Sequence, residues 1–221
     1  MIVAIDGPAG AGKSTVARII AQRLGFIYID TGAMYRALTL KALDNNIGLS
    51  DTPALIEIAR SSAIDLFNNP DGSLKVLLDG KDVTSAIREP RITKSVSDIA
   101  KIKEVREAML QLQRGLGRQK DSVLDGRDIG TVVFPEAEKK FYIDADFNER
   151  SKRRHKELIE AKQKVTLGDI EKDLSNRDKI DSTREFAPLK RAEDAVYVDT
   201  TDLSIEEVVN KVLGYIVDKN G

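Results

Sequence analysis

Short apolar runs and longer amphipathic stretches alternate along most of the chain. Ile2-Val3-Ala4-Ile5 is a β-branched run with no polar face, the pattern of a strand buried on both sides. A glycine-rich turn follows, then Val16, Ile19, Ile20 and Leu24 at helical spacing, closed by Gly25. Phe26-Ile27-Tyr28-Ile29 predicts a second strand. Asp30-Thr31 offers a cap to a helix carrying Leu38, Leu40 and Leu43. Ser50-Asp51-Thr52-Pro53 opens a helix over 50–61, with proline in its first turn. The stretch 63–87 differs in kind, because Leu74-Lys75-Val76-Leu77-Leu78 followed by Asp79-Gly80 predicts an antiparallel hairpin.

Helical periodicity returns over 91–113, with Val96, Ile99, Ile102, Val105, Met109 and Leu112 as its apolar stripe. Val123-Leu124 predicts a third strand of the alternating series, ending in the polar loop DGRDIG. Lys140-Phe141-Tyr142-Ile143 and Ala195-Val196-Tyr197-Val198 supply two more. Between those two, 147–164 is helical in period but crowded with charge, and Ile205 to Val217 is an amphipathic helix. The alternation predicts an α/β fold, a five-stranded parallel sheet with helices on both faces.

Composition narrows the classes. The chain has 221 residues, 41% hydrophobic and 32% charged, with a formal net charge of -1. That balance provides no general field for nucleic acid or an anionic membrane, so neither is an expected partner. Cysteine and tryptophan are absent, which excludes disulfides and zinc–thiolate sites. No apolar stretch is long enough to span a bilayer, and MIVAIDGPAG lacks the features of a signal peptide. A cytoplasmic location and a monomer are the default expectations.

The first chemical motif is Gly7-Pro8-Ala9-Gly10-Ala11-Gly12-Lys13-Ser14, followed by Thr15. It lies between an apolar strand and a helix, the context of a phosphate-binding P-loop. Backbone N–H groups and the helix N-terminus would cradle the phosphates of ATP. Lys13 would neutralise the β- and γ-phosphates, and the Ser14 hydroxyl would reach Mg²⁺. A P-loop does not name the acceptor. No N-K-x-D base-reading motif of GTPases is present, nor an apolar run ending in paired acids as in mechanical ATPases.

The second signal is arginine. A surface arginine is ordinarily solvated charge, but several here sit in short polar motifs. Arg127 lies in Asp125-Gly126-Arg127-Asp128 at a strand end, where open α/β sheets bind ligands. Arg36 follows Asp30-Thr31-Gly32. Arg177 and Arg184 bracket a loop-like segment that contains Asp181. Transfer between two polyanions calls for dense, permanently charged bidentate donors. Arg150, Arg153 and Arg154 belong to a charged helix with few apolar anchors, the pattern of a mobile lid. His155 has no evident partner and is assigned no chemistry.

IDGPAGAGKST, DTGAMYRA, DGRDIGTVVFP and a late R-x₆-R-x₃-PL occur in order along nearly the whole chain. In this the sequence resembles the bacterial-type cytidylate kinases, nucleoside monophosphate (NMP) kinases of the P-loop class. The resemblance implies one domain over 1–221, with an NMP-binding region at about 31–113, an antiparallel insertion at about 63–87 and a lid at about 150–165. It implies that Thr31, at a position where serine is also expected, contacts the CMP phosphate together with Arg36 and Arg127, with Tyr35 alongside. Ser97, Arg106 and Asp128 match positions that read cytosine. Arg177 and Asp181 would reach the sugar hydroxyls, and Arg184 would lie close to the nucleotide.

The implied reaction is in-line transfer from ATP to CMP or dCMP with Mg²⁺ and no phosphoenzyme. UMP or dTMP is the alternative acceptor. Lys13, Arg127, Asp128, Arg150, Arg153 and Arg154 are the candidate catalytic residues. A carboxylate at Asp128 suits the cytosine N4 amino group and opposes the O4 of uracil, while arginine donates to N3 or O2.

Overall fold

The computed structural model describes residues 1–217; the single-domain expectation for 1–221 therefore extends over four residues outside them. The elements in chain order are β1 (Ile2–Asp6), α1 (Lys13–Leu24), β2 (Ile27–Asp30), α2 (Thr31–Asp44), α3 (Thr52–Ser61), β3 (Ile64–Asn68), β4 (Leu74–Leu78), β5 (Lys81–Asp82), α4 (Pro90–Ala100) and α5 (Lys103–Gly117). They continue with β6 (Ser122–Gly126), β7 (Lys139–Asp144), α6 (Phe147–Glu160), α7 (Leu167–Thr183), β8 (Val196–Asp199) and α8 (Ile205–Val217).

β2, β6, β1, β7 and β8, in that spatial order, form one parallel sheet. The central strands are β-branched on both faces because helices cover both: Val3, Ile5, Val123, Leu124, Phe141 and Ile143 are buried. Asp6 and Gly126 pair at the C-terminal end of β1 and β6, and Asp30 pairs with Asp125 across β2 and β6. Three strands therefore present acids at one edge.

Local chemistry sets the helix ends. Gly25 closes α1 at φ 69°, a conformation glycine adopts without steric cost. Asp30 caps α2 by accepting from Ala33 N–H, and Asp51 caps α3 by accepting from Ala54 N–H. Asp79 and Gly80, at φ 50° and 78°, make the tight turn between β4 and β5. β3 joins these strands in a separate three-stranded antiparallel sheet.

Four expectations need correction. The helix of 91–113 is two helices, broken where Ile102 turns extended (φ −72°, ψ 120°). The side chain of Arg106 satisfies Ala100 C=O beyond the break at 3.1 Å, and the apolar spacing runs on through it unchanged. The charged helix ends at Glu160, ahead of Lys162 at φ 58°. The segment from Arg177 to Thr183 is not a loop but the end of α7, which a Thr166–Asp169 capping box starts. The polar loop after β6 is a single π-helical turn, Ile129–Val133, in which Val133 N–H reaches Asp128 C=O and Phe134 N–H reaches Ile129 C=O.

Candidate active site

The P-loop joins β1 to α1 and is held against β7 and α6. At Gly7, with φ 144°, an added Cβ would lie 1.9 Å from Ile143 O, so only glycine fits. Gly10, at φ 79°, has Arg150 backbone 3.1 Å from its missing Cβ. Lys13 Nζ donates to Pro8 C=O at 2.6 Å, folding the side chain back over the loop. Burial beside Arg127 holds the Lys13 ammonium well below the ordinary lysine value, with Asp125 and Asp6 opposing.

Two strand-end carboxylates organise this region. Asp125 accepts from Ser14 Oγ through one oxygen and from Tyr28 OH through the other, both at 2.8 Å. Burial, with Asp30 nearby, raises its carboxyl above the usual range. Asp6 accepts from Ile129 N–H at 2.8 Å and Gly130 N–H at 2.7 Å, pinning the π-helical turn to β1. Burial outweighs those two hydrogen bonds and pushes Asp6 up to about 7. Neither acid was singled out in the sequence. The available signal is an apolar strand ending in a lone acid, in IVAID and SVLD, rather than the paired acids of a mechanical ATPase.

Ser14 and Asp125 together present oxygen donors of the hard type that Mg²⁺ takes. Among the described residues no group of three or more His, Cys, Asp or Glu could hold a metal. That donor set fits an ion bound by few protein ligands and completed by substrate phosphates and water.

Beside the P-loop, the arginines of the acceptor motifs converge. Arg106 Nη2 meets Asp128 at 2.5 Å, with the Arg106 guanidinium 5.2 Å from the Tyr35 ring centre. Arg184 bridges Asp181 at 3.3 Å and Asp128 at 3.6 Å, and Arg127 Nε donates to Asp181 at 2.8 Å. Burial alone would raise the Asp181 carboxyl, but Arg127 and Arg184 hold it below the usual range. Ser97 is buried on α4. Thr31, at the start of α2, donates to Asp125 C=O at 2.7 Å.

Positive charge here exceeds its partners. Burial, with Arg154, Arg88 and Arg127 close by, lowers Arg36 below the ordinary guanidinium value; Asp30 opposes this only in part. Burial and the charges of Arg36 and Arg127 push Arg177 down to about 10. Arg106 Nε, Arg177 Nε and Arg184 Nη2 are buried donors without an acceptor among the described residues. Such groups are costly unless a ligand satisfies them. Arg88, just ahead of α4, is a further member of this cluster that sequence reasoning missed.

The three arginines of α6 do not act alike. Arg150 is buried and donates to Ala145 C=O at 3.1 Å, Ala9 C=O at 3.0 Å and Asp178 at 2.6 Å. Asp178 also accepts from Ala9 N–H at 3.3 Å, so α6 and α7 clamp the P-loop at Ala9. Phe147, Leu158, Val165, Ile170 and Leu174 form a small apolar cluster with Ala9. This corrects the expectation of a helix with few anchors: they lie on α7 and the P-loop rather than on the main core. Arg153 donates to Thr200 C=O at 2.7 Å and Thr201 C=O at 3.1 Å. Arg154 pairs with Glu157 and is the α6 arginine whose charge bears on Arg36. His155 meets Val165 C=O at 3.2 Å, a contact within the α6–α7 unit.

The family model described as Cytidylate kinase matches residues 3–218. The chain belongs to the cytidylate kinase family. A family member from Geobacillus sp. (strain WCH70) is 50% identical over 99% of this chain and 97% of its own. Another from Lactobacillus gasseri is 51% identical over 99% and 95%. Among solved structures, a shikimate kinase from Acinetobacter baumannii in complex with shikimate superposes with a TM-score of 0.50 at 16% identity, over 99% of this chain and 94% of that one. This last likeness speaks for the P-loop kinase fold alone. Family membership makes the chain an enzyme, a nucleotide-binding transferase that takes ATP as phosphate donor. Among the described residues no helix is long and apolar enough to cross a membrane.

Proposed function

We propose that this enzyme transfers the γ-phosphoryl group of ATP to CMP and dCMP, giving ADP and the corresponding diphosphate. One observation carries the acceptor assignment: the Arg106–Asp128 pair lies beside Tyr35 and one residue from Arg127, whose charge bears on the P-loop Lys13. A carboxylate and a guanidinium side by side match the amino and acceptor edge of cytosine. Uracil would set O4 against the carboxylate, and dTMP shares that fault. Membership of the cytidylate kinase family favours the same choice.

In this reading the chain is one kinase domain, with about 31–113 receiving the monophosphate and a lid at about 150–165. The P-loop amides from Gly7 to Thr15 receive the ATP phosphates, and Lys13 leaves Pro8 C=O to meet them. Ser14 and Asp125 would hold Mg²⁺, which would supply positive charge to the phosphate oxygens. Thr31, Arg36 and Arg127 take the CMP phosphate. Ser97, Arg106 and Asp128 read the base; Arg177, Asp181 and Arg184 align the sugar. Arg154 joins Arg36 over the transferring group, while Arg150 and Arg153 support it from behind. Phosphoryl transfer then rests on positioning and preorganised positive charge, without a strong base. The enzyme works as a monomer where CMP and ATP are held, in the cytoplasm, and light scattering checks the first point.

The test is ADP formation with each nucleoside monophosphate in turn. CMP and dCMP are expected to drive turnover, UMP and dTMP to be poor, and ATP alone to be nearly inert. Preference for UMP, or acceptor-independent ATP hydrolysis, would overturn the assignment.

A further inference from the structure

The antiparallel sheet β3–β4–β5 has no task in the reaction so far. Ile64, Leu74, Val76 and Leu78 join it to the main apolar core, and polar contacts tie it to β2 and α1. β2 is an outer strand of the parallel sheet, so the backbone of Tyr28 turns its N–H and C=O away from β6. The side-chain amide of Asn68, the last residue of β3, takes both. Asn68 Oδ1 accepts from Tyr28 N–H at 3.0 Å, and its Nδ2 donates to Tyr28 C=O at 3.1 Å. One side chain thus stands in for a neighbouring strand. A second tie joins Arg18 of α1 to Gly72 C=O in the β3–β4 turn at 3.3 Å.

The same Tyr28 reaches inward. Its ring is buried, 3% exposed, and its hydroxyl donates to Asp125 Oδ1 at 2.8 Å while Ser14 donates to Oδ2 at 2.8 Å. A carboxylate held by one donor can turn about its terminal torsion. Two donors on opposite oxygens fix its plane.

We infer that Asn68 and Tyr28 are positioning residues: Asn68 fixes the backbone of Tyr28, and the Tyr28 hydroxyl orients Asp125 toward the P-loop serine. The extension then acts on the phosphate-donor side of the site, through the serine that follows the P-loop lysine. Outer-shell partners of this kind act through the group they orient, so their loss changes turnover more than acceptor binding. The kinetic part rests on the kinase reading, and the Asn68–Tyr28–Asp125 geometry stands without it.

The variants are Tyr28→Phe, which removes one oxygen and keeps the buried ring, Asn68→Ala, Asp125→Asn and the Tyr28→Phe/Asp125→Asn double. Tyr28→Phe is expected to lower kcat about tenfold, with KM for CMP within about twofold, on the scale reported for such supporting partners. Asn68→Ala should move kcat the same way by a smaller factor. In the Asp125→Asn background Tyr28→Phe should add no further loss, because its target is already gone. Urea unfolding of the wild type, Tyr28→Phe, Asp125→Asn and the double, without substrate, should show the same non-additivity. Multiplicative kinetic losses with additive unfolding losses would overturn the inference, as would unchanged kcat in Tyr28→Phe. Failure of the wild type to phosphorylate CMP would strike the kinase reading, while the unfolding cycle would still decide whether Tyr28 acts through Asp125.

Discussion

Arg106 and Asp128 lie 2.5 Å apart and are nearly closed to solvent, yet neither is fully satisfied by the other. Among the described residues Arg106 Nε has no acceptor, and the second oxygen of Asp128 has only Arg184 at 3.6 Å. The pair is held together with hydrogen-bonding capacity left over.

Asp128→Ala should therefore cost base discrimination. Removing one partner of a desolvated charged pair typically costs about 2–5 kcal/mol, part of it the penalty on the charge left behind. kcat/KM for CMP is expected to fall far more than for UMP, narrowing the preference between them. Arg177→Ala and Asp181→Ala should instead change CMP against dCMP. Equal slowing of CMP and UMP in Asp128→Ala would move base reading elsewhere.

Arg150 and Arg154 should separate stability from turnover. Arg150→Ala takes its donor from Ala9 C=O and its charged partner from Asp178, and breaking such a buried pair costs about 3–5 kcal/mol. At about 2–4 °C per kcal/mol for a chain of this size, the thermal midpoint should drop by roughly 10 °C, with a raised KM for ATP. Arg154→Ala should leave the midpoint nearly unchanged and lower kcat, toward the ~10³-fold scale of an arginine finger. Calorimetry beside steady-state kinetics reads both.

Lys13→Ala should remove activity without unfolding the protein. Its ammonium is buried and held below the ordinary lysine value, so deleting it also removes an incompletely compensated charge. A loss on the order of 10²–10³-fold in kcat is expected, as for one preorganised transition-state donor. Normal turnover in folded Lys13→Ala would remove the P-loop lysine from the mechanism.

Asp6 predicts a pH dependence of unusual sign. Its carboxyl is pushed from 3.8 up to about 7 in the folded chain, so the folded state holds its proton more tightly. The stability this group contributes is full below about pH 4 and is lost as pH rises toward about 7. Asp6→Asn lacks that dependence, although it carries a constant penalty from an amide group facing Ile129 or Gly130 N–H. The midpoint of the wild type minus that of Asp6→Asn should fall between pH 4 and pH 7. A flat difference would show Asp6 ionised across that window.

The five parallel strands were legible because strands buried on both faces leave apolar runs that little else produces. Asp79-Gly80 announced its turn, and the P-loop its phosphate site. α7 escaped because only Ile170, Leu174 and Asp181 of its seventeen residues are buried. Arg177 and Asp181 turn toward Arg36 and Arg127, so charge thins the apolar stripe by which helices are recognised. The break at Ile102 escaped because an apolar residue falls there in step with both helices. Asp6, Asp125 and Asp178 are lone acids at strand ends or on a helix. Only the fold shows what each one meets.

The strand order also constrains how the chain assembles during synthesis. β1 pairs with β6 and β7, and β2 pairs only with β6. No two parallel strands of the first half are neighbours. A ribosome must deliver Ser122–Gly126 before the earliest strand gains its first partner, so closure of the central sheet waits on a loop of more than a hundred residues. Until then only β3–β4–β5 and nearby helices have local partners. The phosphate loop is translated first, but Asp125, which receives Ser14, arrives with the strand that ends the wait.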